Sequence, residues 1–170
     1  MKKDYIVSII VPVFNQEKFI GRCLRSLLAQ DFKKNEFEII VINDGSTDKT
    51  SYALELFKND ITILTNKKNK GLPYCLNKAI KKSKSKYIVR VDSDDYVNEN
   101  FLKLLVLHLE LNNNLDAIAC DYLMVDNDEN VKKQKNCMLD PIACGILFRT
   151  DQIIDIGLYD EEFLLHEEKD

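Results

Sequence analysis

Four apolar runs rich in β-branched residues, at 6–13, 37–42, 61–64 and 87–91, alternate with segments whose apolar residues recur at helical period. That alternation is the pattern of βαβ units, and it limits the fold more than any other feature of the chain. Parallel strands joined by crossover helices need cover on both faces, so the expected architecture is an α/β three-layer sandwich around a mainly parallel sheet. Four crossover or flanking helices are predicted. In the first, Phe19, Ile20, Cys23, Leu24, Leu27 and Leu28 form one stripe while Glu17, Lys18, Arg22 and Arg25 lie off it, with Asn15 as the expected cap. The second starts near Asp48 and turns Ala53, Leu54 and Phe57 inward; the third follows Gly71-Leu72-Pro73 and buries Cys75, Leu76, Ala79 and Ile80. The fourth, at about 98–111, is so rich in leucine that it is expected to pack on more than one side, with His108 a packed or rim residue.

After residue 112 the pattern changes. Residues 117–125, an acidic turn at 126–130 and residues 131–134 read as a hairpin, which makes the sheet mixed. The turn superficially suggests a calcium loop, but Val131 stands at its glycine position and Cys137 at its final glutamate, so it is not taken as one. A further strand at 144–149 leads to a short helix capped by Thr150 and closed by Gly157.

With 170 residues, 45% hydrophobic and 31% charged, the chain is expected to be one domain. A net charge of −4 gives no field that would draw in nucleic acid. The basic run Lys81-Lys82-Ser83-Lys84-Ser85-Lys86 closes a predicted helix and reads as a solvated end rather than a contact with anionic lipid. Five cysteines, an odd number without Cys-x-x-Cys spacing, are expected as reduced core thiols in a cytoplasmic protein, with no zinc site. No run of apolar residues is long enough to span a membrane.

The chemistry concentrates at strand ends. Tyr87-Ile88-Val89-Arg90-Val91-Asp92-Ser93-Asp94-Asp95 finishes in three carboxylates. Like charges this close repel by about 4 kcal/mol per pair at about 4 Å and an effective dielectric of about 20, so a divalent cation is the natural compensator. A solvated turn with a helix cap is the alternative. If the strand continued to Asp94, Ser93 would space two acids onto one side. The second strand ends in Asn43-Asp44-Gly45-Ser46-Thr47-Asp48, where Asp44 could accept an N–H from a flat heterocycle and Asp48 caps the next helix. Val11-Pro12-Val13-Phe14-Asn15 adds backbone polar groups and an aromatic wall. Ligands of open α/β sheets bind outside the carboxyl ends of the strands, so these three ends predict a nucleotide-diphosphate site with a divalent cation.

These segments, together with Asn69-Lys70-Gly71-Leu72-Pro73 and residues 157–170, resemble in order and spacing the family 2 inverting glycosyltransferases. The resemblance implies the GT-A, Rossmann-like fold. It implies that Val11 and Pro12 flank the base, that Asp44 bonds it, and that Asp92 contacts the nucleotide, with Phe14, Gly71 and Ser93 completing the nucleotide site. Asp94 would be the principal ligand of Mn2+ or Mg2+, assisted by Asp95. Of the terminal pair Glu167-Glu168, Glu168 aligns with the general base, although either could serve, and His166 could help hold their loop. The implied donor is a nucleotide-diphosphate sugar, most readily a UDP-sugar, and the acceptor a saccharide or lipid-linked hydroxyl in surface polysaccharide or glycoconjugate synthesis. The implied setting is cytoplasmic, with peripheral association at the inner face of the membrane.

Two departures stand out. Leu76 precedes Asn77 where the family often has arginine, so Lys70 or Lys78 would have to meet the phosphates unless the metal suffices. The chain also ends at Asp170, ahead of the helix and downstream arginine that usually follow, so the acceptor pocket is expected to need further residues. A non-catalytic nucleotide-sugar-binding module is the competing expectation. A nucleotidyltransferase is disfavoured because no glycine-rich, arginine-containing loop follows the first strand.

Overall fold

The β-branched runs become the strands that the alternation requires. In the computed structural model, which describes residues 4–162, they form β1 (Tyr5–Val13), β2 (Phe37–Asn43), β3 (Thr62–Thr65) and β4 (Ser85–Arg90). Helices α1 (Ile20–Leu28), α2 (Thr50–Glu55) and α3 (Leu72–Lys82) connect them, and α4 (Phe101–Leu111) follows β4. The rest comprises β5 (Ala117–Ile118), β6 (Tyr122–Val125), β7 (Val131–Lys135), β8 (Leu147–Arg149) and α5 (Thr150–Asp155). The central sheet has six strands in the order β3-β2-β1-β4-β8-β5. Its first four are mutually parallel; β8 runs antiparallel to both β4 and β5, which makes the sheet mixed as expected.

Strand period sorts the core into two layers. Ile9, Val11, Ile39, Val41 and Val89 face one side, against Leu24 and Leu27 of α1, Leu54 of α2 and Leu102 and Leu105 of α4. Ile10, Ile40, Ile42 and Ile88 face the other, against Cys75, Leu76, Ala79 and Ile80 of α3 and Ile153 of α5. Nearly continuous burial along β1 and β2 is what a sheet covered on both faces demands.

Several local expectations are corrected. Asn15 does not cap α1, whose N-cap position is Phe19; its side chain is used elsewhere. Thr150 is the first residue of α5 and its buried hydroxyl has no partner among the described residues, so it is not a cap either. The fourth helix begins at Phe101 rather than near Asn98, because the buried Gln30 amide donates to the Asn98 carbonyl (2.8 Å) and accepts Leu102 N–H (3.0 Å). Among the described residues it packs on one face only: Leu104, Leu107 and Leu111 are 53%, 49% and 74% exposed, and His108 is exposed too. The run at 117–125 is divided, with β5 joining the central sheet while β6 and β7 pair as a separate hairpin.

Arg149 ties the two halves of the sheet together. Its Nη2 donates to the Leu109 carbonyl at the end of α4 and its Nε to the Leu115 carbonyl, both at 2.8 Å, while the guanidinium lies 5.7 Å from the ring centre of Tyr87. A cation is favourable at a helix C-terminus, where carbonyls lack partners. Arg149→Met should therefore cost roughly 2–3 kcal/mol, the scale of losing hydrogen bonds from a charged donor, read as a lower urea midpoint at unchanged slope.

Candidate functional site

All four parallel strands end at one edge, with Val13 level with Asn43 and Asn43 level with Thr65. The loops that leave them knit together through side chains. Asn15, at φ 53°, accepts Thr47 N–H on its Oδ1 (2.8 Å) and donates its own N–H to Ser46 Oγ (3.0 Å). Glu17 N–H donates to Asp48 (3.1 Å) while Lys49 N–H donates to Glu17 (2.7 Å). Asp48 also accepts Thr50 N–H (2.9 Å), but it does not cap α2 as expected: the N-cap position is Lys49, and the aspartate stands one residue ahead of it. An open hollow of about 260 Å3 is bounded by this loop pair, Asp48 included, but by neither Asp44 nor Asp92.

Asp44 is 4% exposed and its carboxylate is closely engaged. Oδ1 accepts Asn66 Nδ2 (2.7 Å) and Lys70 N–H (2.9 Å); Oδ2 accepts Lys70 N–H (3.0 Å) and Gly71 N–H (2.9 Å). A buried charge needs such donors, and main-chain N–H groups ahead of a helix are well suited to it. Asp44 thus fastens residues 66–71 and the start of α3 to the β2 turn. The approach is so close that a Cβ on Gly45, at φ 75°, would stand 2.7 Å from the main chain of Lys68. Lys78 Nζ is held by Asn66 Oδ1 (2.6 Å), and Lys70 Nζ lies 5.6 Å from the Tyr74 ring centre.

Of the pair expected to flank a base, Val11 is wholly buried in the core and Pro12 is half-buried; Phe14 is 43% exposed at the rim. Gly71 is half-buried at φ 86°, its N–H on Asp44.

The acidic run is a turn, not an extended strand. β4 stops at Arg90, and Asp95 N–H donates to the Asp92 carbonyl (3.0 Å), with Ser93 buried beneath. A turn brings first and fourth residues together, so Asp92 and Asp95 meet and the strand-like pairing of Asp92 with Asp94 does not form. A carboxylate oxygen of each and Sγ of Cys144 lie within 4.8 Å of one another. Asp94 is exposed and outside that group; its carbonyl accepts Arg22 Nη2 (3.0 Å). Arg22 also stacks over Tyr96, 4.5 Å from the ring centre, and pairs with Glu129 at 3.1 Å. Arg90 grips Asp92 with two bonds, Nε to Oδ1 at 2.6 Å and Nη2 to Oδ2 at 3.0 Å.

The electrostatics follow from this crowding. Although Asp95 lies at the surface, burial of its carboxyl against the turn raises its pKa; Cys144 opposes the rise, and the Asp92 and Asp94 charges add to it. Burial first, then the neighbouring carboxylates, push the Cys23 thiol up to about 12, and burial also raises Cys144. Both stay protonated at neutral pH. Hard carboxylate oxygens at the carboxyl end of a strand are the donors that Mn2+ or Mg2+ takes, so the residues present fit such an ion.

Cys144, Arg90, Asn66 and Arg22 are the participants that sequence reasoning missed. Arg90 had a signal, since residues two apart on a strand share a side. The contacts of Cys144 and Arg22 depend on tertiary approach alone. Glu167, Glu168 and His166 lie outside the described residues. Among the described residues no helix is long and apolar enough to cross a membrane.

Gly45→Ala should cost roughly 1–3 kcal/mol through backbone strain and collision with Lys68, seen as a lower melting temperature. Asp95→Asn should stabilise the metal-free protein at pH 7. A raised folded-state pKa means that ionising Asp95 costs the folded state, and this variant removes the cost. The advantage should shrink as the pH falls through the raised pKa into the ordinary carboxylate range, where Asp95 is protonated in folded and unfolded chains alike. Melting temperatures of both proteins across that range, in chelator, check it.

The sequence pattern described as Glycosyl transferase family 2 matches residues 8–160. The chain is 42% identical over 101 residues to the poly(ribitol-phosphate) beta-N-acetylglucosaminyltransferase TarS of Staphylococcus aureus, covering 56% of this chain and 17% of TarS. It is 34% identical over 131 residues to the UDP-Glc:alpha-D-GlcNAc-diphosphoundecaprenol beta-1,3-glucosyltransferase WfgD of Escherichia coli, covering 76% of this chain and 51% of WfgD. The crystal structure of S. aureus TarS 1-349 in complex with UDP matches with a TM-score of 0.78 and 29% identity, over 92% of this chain and 51% of that one. The chain thus spans about half or less of the length of these relatives. The mannosyltransferase PcManGT of Pyrobaculum calidifontis, solved with GDP-Man and Mn2+, shares the fold at a TM-score of 0.75 and 20% identity. With its GT-A sheet and matching motifs, the chain belongs to glycosyl transferase family 2.

Proposed function

We propose that this domain moves a sugar from a UDP-sugar to an acceptor hydroxyl with inversion at the anomeric carbon. The observation that carries the reading is the juxtaposition, at one edge of a parallel sheet, of the buried Asp44 turn and the Asp92–Asp95 carboxylate turn, in a chain of this family. The structures of S. aureus TarS with UDP and with UDP-GlcNAc support UDP as the nucleotide.

Each residue then has a task. Asp44 keeps residues 66–71 in place and would bond the base by exchanging one of the N–H groups it accepts, with Pro12 and Phe14 as the apolar wall, the buried Val11 in the strand that carries them, and Gly71 and Ser93 closing the nucleotide site. Asp92, neutralised by Arg90, faces the nucleotide side. Asp95 and Asp94 would hold Mn2+ or Mg2+. When bound, that ion would neutralise charge developing on the departing diphosphate. Glu168, with Glu167 beside it, takes the proton of the acceptor hydroxyl as its oxygen forms the new bond to the anomeric carbon and the bond to diphosphate breaks. The role needs a carboxylate oxygen within about 2.6–3.2 Å of the hydroxyl.

Residues beyond this domain would complete the acceptor pocket. The lipid-linked substrate in the name of WfgD supports a saccharide or lipid-linked acceptor, surface-polymer synthesis and peripheral contact with the inner membrane face. Five free thiols support a cytoplasmic setting.

UDP with Mn2+, at 100 times its dissociation constant, should stabilise the protein by about 2.7 kcal/mol, and chelator should remove most of that gain. Glu168→Gln should retain UDP binding while turnover of UDP-sugar falls by roughly 10²–10⁴, the range for a lost general base. No thermal shift with any nucleotide diphosphate overturns the reading; binding without turnover on any acceptor favours the non-catalytic module.

A further inference from the structure

The acidic turn at 126–130 is built to aim one side chain. β6 and β7 pair with each other and with no strand of the central sheet. At their tip Asp126 Oδ1 accepts Asp128 N–H (3.0 Å) and Asn130 N–H (2.9 Å), Asp126 N–H donates to the Asn130 carbonyl (3.1 Å), and Lys132 Nζ pairs with Asp126 Oδ2 at 2.7 Å. These bonds hold Glu129 at φ 64°, a left-handed conformation that a glutamate seldom takes unless its surroundings over-determine it, and Glu129 N–H donates to the Asp126 carbonyl (3.0 Å). The Glu129 carboxylate then meets Arg22 Nη1 at 3.1 Å, on a helix 107 positions earlier.

Arg22 stands against the Asp92–Asp95 turn. Its Nη2 donates to the Asp94 carbonyl (3.0 Å), its guanidinium lies 4.5 Å from the ring centre of Tyr96 and 5.7 Å from that of Phe19, and its Nε is buried with no partner among the described residues. Next to it on α1, Cys23 Sγ donates to the Asp92 carbonyl (3.5 Å). The carbonyl that Arg22 holds belongs to the peptide joining Asp94 to Asp95, so a full positive charge sits beside both of these residues. A guanidinium binds a carboxylate best through two parallel N–H bonds, and such a pairing with Asp94 or Asp95 would compete with a cation for the same oxygens. Glu129 occupies Nη1, one arm of that fork, and supplies the opposite charge. The Arg22 side chain is only 27% exposed, so solvent alone screens it less than it would a free surface cation.

We propose that Glu129 is a positioning residue for the metal turn: the β6–β7 hairpin reaches across to neutralise Arg22 and hold it on the Asp94 main chain, leaving the Asp94 and Asp95 carboxylates to the divalent cation. Glu129 acts through Arg22 and not as a ligand of the ion. The role rests on the transferase reading, in which Asp94 and Asp95 take Mn2+ or Mg2+. It gives the hairpin, which no ladder ties to the central sheet, a hand in how tightly the cation is held.

Two measurements test it: uptake of Mn2+ with UDP present, beyond that of UDP alone, from the paramagnetic resonance of free Mn2+, and the Arg22 Nε–H signal in proton–nitrogen NMR of the protein without ligand. Glu129→Gln, which keeps the shape and removes the charge, should shift the Nε–H signal, speed its exchange with solvent and weaken Mn2+ affinity about fivefold. In an Arg22→Met background the same change should alter Mn2+ affinity by less than about twofold, because residues that act through one shared contact are not additive. Arg22→Gln, which keeps a donor for the Asp94 carbonyl, takes the place of Arg22→Met if that variant does not fold. An unmoved Nε–H signal in Glu129→Gln overturns the latch. A moved signal with unchanged Mn2+ uptake, or a loss of affinity that persists in full once Arg22 is replaced, overturns the positioning role. If the unaltered protein takes up no Mn2+ with UDP, the metal reading falls and this role with it, while the Nε–H signal still decides whether Glu129 holds Arg22.

Discussion

The buried carboxylate of Asp44 is the constraint on which the ligand edge depends. Taken out of water without partners, such a charge would cost several kcal/mol, so the fold must bring donors to it. Residues 66–71 supply them, and only a glycine at position 45 leaves room for their main chain. The consequence reaches past the turn, because fixing Lys70 and Gly71 fixes where α3 starts and hence which of its side chains face the sheet. Cys75, Leu76, Ala79 and Ile80 then fall on the apolar layer.

A second balance governs the Asp92–Asp95 turn. Its closure brings two carboxylates together, which electrostatics alone opposes, and the protein offsets this with three contacts of different kinds. Arg90 pairs with Asp92, Gly145 N–H donates to the Arg90 carbonyl (2.8 Å), and Asp92 N–H donates to Cys144 Sγ (3.4 Å). Arg22 steadies the outer side through the Asp94 carbonyl and Tyr96.

The parallel core was legible because β-branched runs and helical stripes are local signals that agree with burial on both faces. Asp44 and the acidic run were legible as strand ends for the same reason. The turn at Asp92 was not, because where β4 stops depends on Gly145 and Cys144, more than 50 residues onward. Asn15 illustrates the same limit: its composition suits a cap, but the β2 loop competes for its oxygen and wins. The leucines of α4 misled in the other direction. Helical periodicity marks a broad apolar surface, yet burial requires a second layer, and among the described residues Leu104, Leu107 and Leu111 have none.

The thiols beside the carboxylates explain how the site keeps its charge. Cys23 donates its S–H to the Asp92 carbonyl (3.5 Å), and Cys144 lies against Asp92 and Asp95. A lysine or arginine there would satisfy the same oxygens but cancel their charge. A thiol whose pKa is raised by burial packs closely, donates a weak hydrogen bond and stays neutral. Arg90 pairs with Asp92, while the thiols bring no positive charge to the rest of the turn. A turn so lined, with Arg90 on Asp92 and neutral thiols at Cys23 and Cys144, suits a divalent cation.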